Sequence, residues 1–304
     1  MRIKAAVVVL LATLSTGCSL RNMAVNSFGD AIASGGSTFS SDDDPELVGE
    51  ALPFSLKLIE SLLAESPEHT ALLVAAARGF TQYTYGWVEP VGDDDADLSR
   101  SRDRSKRLYL RARDYGVRAL STSIRDFRLR LAADPRAAVA SARKSDVPAL
   151  YWTAAAWGLA ISGSKDDPEL LADLPIVDAL ISRAAELDPE FESGAIDRFL
   201  INYEAARSGL SKDAERRARE HFRRAVELSG GLSAEPFVTA AEALAVPAQD
   251  RKEFESLLKR ALSIDVNAKP EWRLANILSQ RRAQWLLEHI DDFFMASKSE
   301  EEKQ

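Results

Sequence analysis

An all-α fold is predicted by three features of the sequence: recurrent Asp-Pro and Ser-Pro pairs, apolar stripes at helical spacing, and a blurred internal repeat. Asp44-Pro45, Ser66-Pro67, Asp134-Pro135, Asp167-Pro168 and Asp188-Pro189 each set a potential capping side chain ahead of a proline. Proline at the first helical position loses nothing, because its missing N–H would have been an orphan donor there. Helix starts are therefore expected at these pairs. Gly86, Gly163, Gly209 and Gly230 fall near the ends of intervening segments, where a left-handed C-cap residue is expected. From Asp250 to Ile264, the residues Phe254, Leu257, Leu258, Ala261 and Leu262 recur at steps of three and four, one apolar stripe among Arg, Lys and Glu. Ala218, Phe222, Ala225 and Val226 repeat the pattern upstream. Convincing strand-like alternation is absent from the sequence.

The repeat is carried by "RAAELDP" (Arg183 to Pro189), "RRAVELSG" (Arg223 to Gly230) and "KRALSID" (Lys259 to Asp265), which align on Ala184, Ala225 and Ala261. An earlier segment, "LLAESPEH" (Leu62 to His69), ends in the same style. A small residue, an aliphatic and then a Pro-type stop, returning at intervals of roughly 40 residues, resembles the end of the second helix in tetratricopeptide repeats. Alanine lets helices approach, the aliphatic packs on the next helix, and the proline starts it. The expected architecture is a helical solenoid of degenerate tetratricopeptide-like helix pairs, with a generic helical solenoid as the alternative.

The N-terminus reads as an export signal. Arg2 and Lys4 precede an apolar run from Ala5 to Leu14, and Ser15, Thr16 and Gly17 lead into Cys18, the single cysteine. A run of about ten apolar residues is half the length needed to span a bilayer as helix, and fits a signal segment. Gly17-Cys18 resembles the lipobox of bacterial lipoproteins, departing from it at Ser15, where leucine is usual. Residues 1–17 are expected to be a signal peptide, 18–43 a lipidated flexible tether with a short helix near Val25 to Ala33, 44–295 the helical domain, and 296–304 a charged disordered tail. Ser19 after the cysteine favours an outer-membrane over an inner-membrane anchor, with the protein facing the periplasm.

Composition narrows the function classes. The 304 residues carry a formal charge of −8, with 46% apolar and 28% charged side chains. An acidic exported chain of globular composition is a poor candidate for nucleic-acid binding. His69, His221 and His289 are scattered, and no HExxH, GxSxG or P-loop pattern occurs, so no enzyme, catalytic residue, metal site or cofactor is expected. Asp93, Asp95 and Asp97 imitate the start of an EF-hand loop, but Leu98 stands where glycine is needed and Arg104 where the bidentate glutamate belongs. An acidic lead into a helix, favourable to its dipole, is the better reading.

Two features have both a structural and a functional reading. Arginines crowd the stretch from Arg100 to Arg130, either as a solvated helix face or as a surface for an acidic partner or organic anion. Aromatic residues cluster at Phe80, Tyr83, Tyr85 and Trp87, and again at Tyr151, Trp152 and Trp157 among alanines. They serve either inter-helix packing or the lining of a concave channel.

Four blocks, "GFTQYTYGWVEP" (Gly79 to Pro90), "RLYLRARDYGVRAL" (Arg107 to Leu120), "YWTAAAWGLAISGSKDDPELLADLP" (Tyr151 to Pro175) and "LDPEFESGAIDRFLINYE" (Leu187 to Glu204), resemble one family in order and wording. It is the T component associated with TRAP transporters, the tripartite ATP-independent periplasmic transporters, a family of tetratricopeptide-containing periplasmic lipoproteins. The resemblance implies a homo-oligomer, a trimer, that docks an extracytoplasmic solute-binding protein and passes or holds a small organic or apolar ligand in a pore or groove. On the matching blocks, Tyr83, Tyr85, Tyr151, Trp152, Trp157 and Phe199 are the candidates to border that channel. Lys165 and Arg198 are candidates to contact a carboxylate. The competing reading is a tetratricopeptide scaffold lipoprotein for envelope assembly or secretion.

Overall fold

A computed structural model describes residues 26, 27, 29–33, 37–89, 95–207 and 211–295. The expected signal peptide, Cys18, Gly209 and the 296–304 tail lie outside these residues. All regular structure among the described residues is helical. The main helices are α1 (Pro45–Glu65), α2 (Thr70–Tyr83), α3 (Asp95–Ser123), α4 (Phe127–Ala133), α5 (Pro135–Val139) and α6 (Val147–Ser162). They continue with α7 (Leu174–Leu187), α8 (Ala195–Arg207), α9 (Lys212–Leu228), α10 (Glu235–Ala240), α11 (Arg251–Leu262) and α12 (Arg273–Glu288). Helical turns also occur at residues 26, 27 and 29–33, within the stretch where a short helix is expected, and at Ser37–Ser40.

Capping explains the boundaries. Asp44 accepts from the Leu47 N–H at 2.9 Å, Asp134 from Ala137 at 3.1 Å, and Asp250 from Glu253 at 2.9 Å, each tying down an orphan donor. Asp167 does the same for a single turn, Pro168–Leu171. Two of the expected starts are ends instead. Ser66 closes α1, and α2 begins only at Thr70, capped by the His69 ring; Asp188 closes α7. A proline just beyond a C-cap stops a helix as readily as a proline at its first residue starts one, so the pair alone leaves the direction open. The glycines divide similarly. Gly230 (φ 60°) and Gly231 (φ 69°) form a Schellman end to α9, the Gly231 N–H reaching Val226 O at 2.8 Å. Gly163 caps α6 in a right-handed conformation, and Gly86 lies inside a helical segment.

Packing centres on α6. Its buried residues, among them Leu150, Thr153, Ala154, Ala156 and Ala160, lie on every side of the helix, which contacts α2, α3, α7 and α8. An all-apolar helix of this kind is stable only when surrounded. Helix α3 runs antiparallel to it: Gly116 lies against Thr153, Arg113 over Trp157, and Lys106 against Asp167. This first core draws in α1 to α8; further apolar clusters join α8 to α12 through Phe222, Phe237, Phe254 and Leu258. The last helix returns to the first. Arg281 pairs with Glu46 on α1, Arg273 donates to Ser41 O at 2.9 Å, and Leu278 lies against Gly86.

Gly116 is the position where helix contact is closest. A Cβ there would stand 2.0 Å from Thr153 Oγ1 and 3.2 Å from Thr153 Cα. Gly116→Ala is expected to destabilise by about 1–3 kcal/mol, despite the roughly 1 kcal/mol by which alanine favours a helix. Thr153→Ala in the same chain removes the nearer obstacle and should recover part of that loss. Urea unfolding of the two singles and the double measures it; strictly additive effects would contradict this contact.

Candidate functional site

The site grows from two places where the helical ladder widens. After α2 the chain makes a π-helical segment, Thr84–Val88, closed by the Glu89 N–H donating to Thr84 O at 2.8 Å. A second, Ala241–Ala245, extends α10 and is closed by Val246 donating to Ala241 O at 3.1 Å. Such insertions are rare and re-aim side chains, often at functional sites. The first is locked by Trp87, whose indole N–H donates to Pro45 O at 3.0 Å. Gly49 makes room for that ring: a Cβ on it would stand 2.4 Å from the indole nitrogen. Tyr83 stacks on the other side, at 6.3 Å between centroids.

Tyr85 is thereby turned outward from α2. It is 51% exposed, yet loss of water raises its phenol pKa far above the usual value, and Glu235, Glu242 and Glu89 push it further while Arg282 opposes them. Tyr85 and these charged groups mark a candidate cleft. Glu89 follows the same π segment, whereas three of the charged groups come from distant parts of the chain: Glu242 lies on the second π segment, Glu235 begins α10, and Arg282 is on α12.

The charges of this cleft are paired. Arg282 Nη2 bonds Glu242 Oε1 at 2.6 Å, and Arg198 Nε lies 3.0 Å from Glu235 Oε2. Tyr109 donates its hydroxyl to Glu89 at 2.6 Å, while burial pushes the Glu89 carboxyl above the ordinary carboxylate range. Tyr151 occupies the first turns of α6, 8% exposed, with Phe191 at 5.2 Å and Trp152 at 4.9 Å. Burial raises its pKa; Arg198 and Arg78 act against this, Glu235 and Glu192 with it. Glu235 thus influences both Tyr85 and Tyr151, and its partner Arg198 influences Tyr151 as well.

Of the residues singled out from sequence, Tyr85, Tyr151 and Arg198 converge here. Tyr83 faces α3, where Arg104 donates to its hydroxyl at 3.2 Å. Trp152 packs under Arg78, whose guanidinium is 5.5 Å from the ring. Trp157 bonds Asp173 at 3.1 Å, and Phe199 stacks on Tyr203 at 5.3 Å and packs against Gly158. Lys165 is exposed beyond the C-terminal end of α6, whereas Tyr151 lies near its start. Much of the arginine run is engaged with the aromatic residues. Arg111 covers Phe80 at 4.9 Å, Arg113 covers Trp157 at 4.9 Å, and Arg118 covers Tyr115 at 5.4 Å. Glu89 and Tyr109 lie within the quoted blocks without being singled out there, and Glu235, Glu242 and Arg282 lie outside them.

A second concavity, about 440 Å³, lies between α7, α8 and α9, lined by Asp178, Glu186, Leu200, Glu204 and His221 among others. Its charges are paired within the protein: Glu204 with Arg217 at 2.8 Å, Glu186 with Arg183 at 2.8 Å, and His221 with Asp197 at 2.7 Å. Tyr85, a half-exposed aromatic ring near charged groups from remote helices, is the stronger ligand candidate. No group of acidic, histidine or cysteine side chains suited to a metal occurs among the described residues.

The raised pKa of Glu89 gives the cleft a pH signature. The native state holds that proton more tightly than the unfolded chain, a contribution present in full below the ordinary carboxylate pKa and lost as pH rises through the native value. Glu89→Gln stays neutral. It is expected to match the wild type near pH 4 and to gain on it steadily as pH rises toward 8. Urea unfolding across that range reads the difference; a gap that does not change with pH would contradict the burial of this carboxyl.

Comparison with known proteins agrees with the wording of the sequence blocks. The chain is 27% identical over 305 residues to an uncharacterized protein of Treponema pallidum (strain Nichols), covering 93% of this chain and 94% of that one. The family described as TRAP transporter T-component matches residues 41–294, from the turn before α1 to the residues after α12. That match takes in both π segments and every charged residue of the cleft, and the chain belongs to the TRAP transporter T-component family.

Proposed function

We propose that this TRAP-associated component is a lipoprotein held through Cys18, facing the periplasm, that docks an extracytoplasmic solute-binding protein and holds or passes a small solute at the Tyr85–Tyr151 cleft. The observation that carries the reading is Tyr85 itself: a half-exposed aromatic ring on a π-helical insertion, near three charged residues from remote helices, Glu235, Glu242 and Arg282. A space of this kind suits a small molecule better than an extended peptide, which would need a long open groove. In this reading the helices form degenerate tetratricopeptide-like pairs whose concave side is the cleft, and the protein self-associates as a trimer.

Among the described residues no helix is long and apolar enough to cross a membrane. Acyl chains on Cys18 would supply the attachment, at roughly 0.8 kcal/mol per buried methylene, with the outer membrane favoured by Ser19. The stretch from residue 19 to α1 would then set the reach from the bilayer.

Docking is tested with the purified chain and the solute-binding protein of a TRAP system from the same organism, by sedimentation velocity. A complex with a Kd in the micromolar range or tighter is expected, and Cys18→Ser should leave that affinity unchanged while releasing the protein from membranes. Recovery of envelope-assembly factors, with no association to the solute-binding protein, would contradict the reading and leave a scaffold.

A further inference from the structure

The chain is held to the helical body well before α1 begins. Ser66 donates to Asn26 Oδ1 at 2.9 Å, and the His69 ring reaches Asn26 O at 3.1 Å. Because Nδ1 of that ring accepts from the Leu72 N–H, its proton sits on Nε2 and is given to Asn26 O, with Asp30 3.5 Å from the same nitrogen. Gly29 is buried there, where a Cβ would stand 2.8 Å from Leu72 Cδ1 and 2.9 Å from His69 Nε2, and Ile32 packs on the first core. A second hold lies at the opposite end of α1, where Arg273 of α12 donates to Ser41 O at 2.9 Å. Only eight residues therefore lead from Cys18 to the first hold at Asn26. Fully extended they reach at most about 29 Å, whereas a leash running free to α1 would reach about 90 Å.

The α1–α2 turn that receives Asn26 is joined to the end of α3. Thr70 Oγ1 lies 2.8 Å from Thr122 Oγ1, and Arg118 donates to Pro67 O at 2.9 Å. Just beyond, Ile124 and Phe127 are buried while Leu129 is 76% exposed. Arg125 is 95% exposed, 3.5 Å from the exposed Asp126, and Arg128 makes no ion pair among the described residues. A leucine flanked by guanidinium groups suits the boundary between acyl chains and phosphates. Glu65 and Glu68 on the adjoining turn offset the arginines, so the short leash rather than net charge sets the orientation. The length of α2, about 21 Å at 1.5 Å per residue, separates this end from the π segment carrying Tyr85.

We propose that the end of the molecule formed by the α1–α2 turn and the α3–α4 junction rests on the lipid surface that holds Cys18, with Leu129 at the headgroup boundary and Tyr85 turned away from the bilayer. The inference rests on the lipid attachment argued above and adds which face meets the membrane.

The full chain, expressed with its export signal, is extracted from membranes and reconstituted into vesicles of phosphatidylethanolamine and phosphatidylglycerol containing a lipid with a nitroxide headgroup. Acylation consumes the Cys18 thiol, so Ala132→Cys or Arg102→Cys supplies a single site for a fluorophore. Ala132 is exposed one turn after Leu129, and Arg102 is exposed on the far part of α3. The nitroxide is expected to remove most of the fluorescence at position 132 and little at position 102. Gly29→Phe, which displaces the docked segment, and Leu129→Glu, at an exposed site, should each restore much of the signal at 132; circular dichroism checks that both variants fold. Equal quenching at the two positions, or quenching at 132 that either variant leaves unchanged, would overturn the proposal. Mass spectrometry of the same samples reports acylation. A chain without acyl groups removes the lipoprotein reading beneath, whereas an acylated chain quenched equally at both positions removes this inference alone.

Discussion

Helix α6 can exist only where other helices cover it. Val147 to Ser162 offers no polar stripe for water, so α2, α3, α7 and α8 pack around it. Alanines on its surface and Gly116 on α3 let the backbones approach, and Gly158 gives Phe199 of α8 a seat. This burial is the largest ordering influence in the first part of the molecule, since each fully covered large side chain contributes about 1.5–3 kcal/mol against the entropy of ordering it. It also fixes function-bearing positions. Tyr151 is set at the start of α6, and α2, held against α6, carries the π segment that ends in Glu89.

From that frame the cleft follows by closure. The second half of the chain packs α9 to α12 on a separate apolar cluster, and α12 comes back beside α1 and the first π segment. The exposed Arg281–Glu46 pair is screened by solvent and adds little strength, but it orients the two ends. Closure brings Glu235, Glu242 and Arg282 opposite Tyr85. Burial and the neighbouring carboxyl groups raise the Tyr85 phenol pKa, with Arg282 opposing them. The π segments matter because an ordinary α-helical turn would place Tyr85 and Glu242 at different angles around their helices.

What the sequence disclosed depended on the range of the interaction responsible. The stripe of Phe254, Leu258 and Ala261 is a local pattern, and those residues are buried together on α11. Helix starts at Asp44 and Asp134 were legible for the same reason, while Ser66-Pro67 and Asp188-Pro189 misled because a local pair serves both a stop and a start. Tyr85, Tyr151 and Arg198 were found as unusual residues within recognisable blocks. Glu235 and Glu242 belong to no pattern in the sequence, and their placement depends on α12 and on a π-helical register that apolar periodicity does not encode. The arginine run and the aromatic clusters were noticed separately, though several of their members are partners, Arg111 with Phe80 and Arg113 with Trp157.

The central claim is that Tyr85 opens onto an enclosed space. It is tested by thiol accessibility at that position, using the chain with Tyr85→Cys and with its single native cysteine removed by Cys18→Ser. A small methanethiosulfonate reagent and a maleimide carried on a bulky polymer are compared, with Leu129→Cys, at a site 76% exposed, as the open reference. The account predicts rapid modification of position 85 by the small reagent, strong protection from the bulky one, and no such discrimination at position 129. Equal relative rates for the two reagents at both positions would mean that Tyr85 lies on an open surface, and the cleft would lose its claim to a solute.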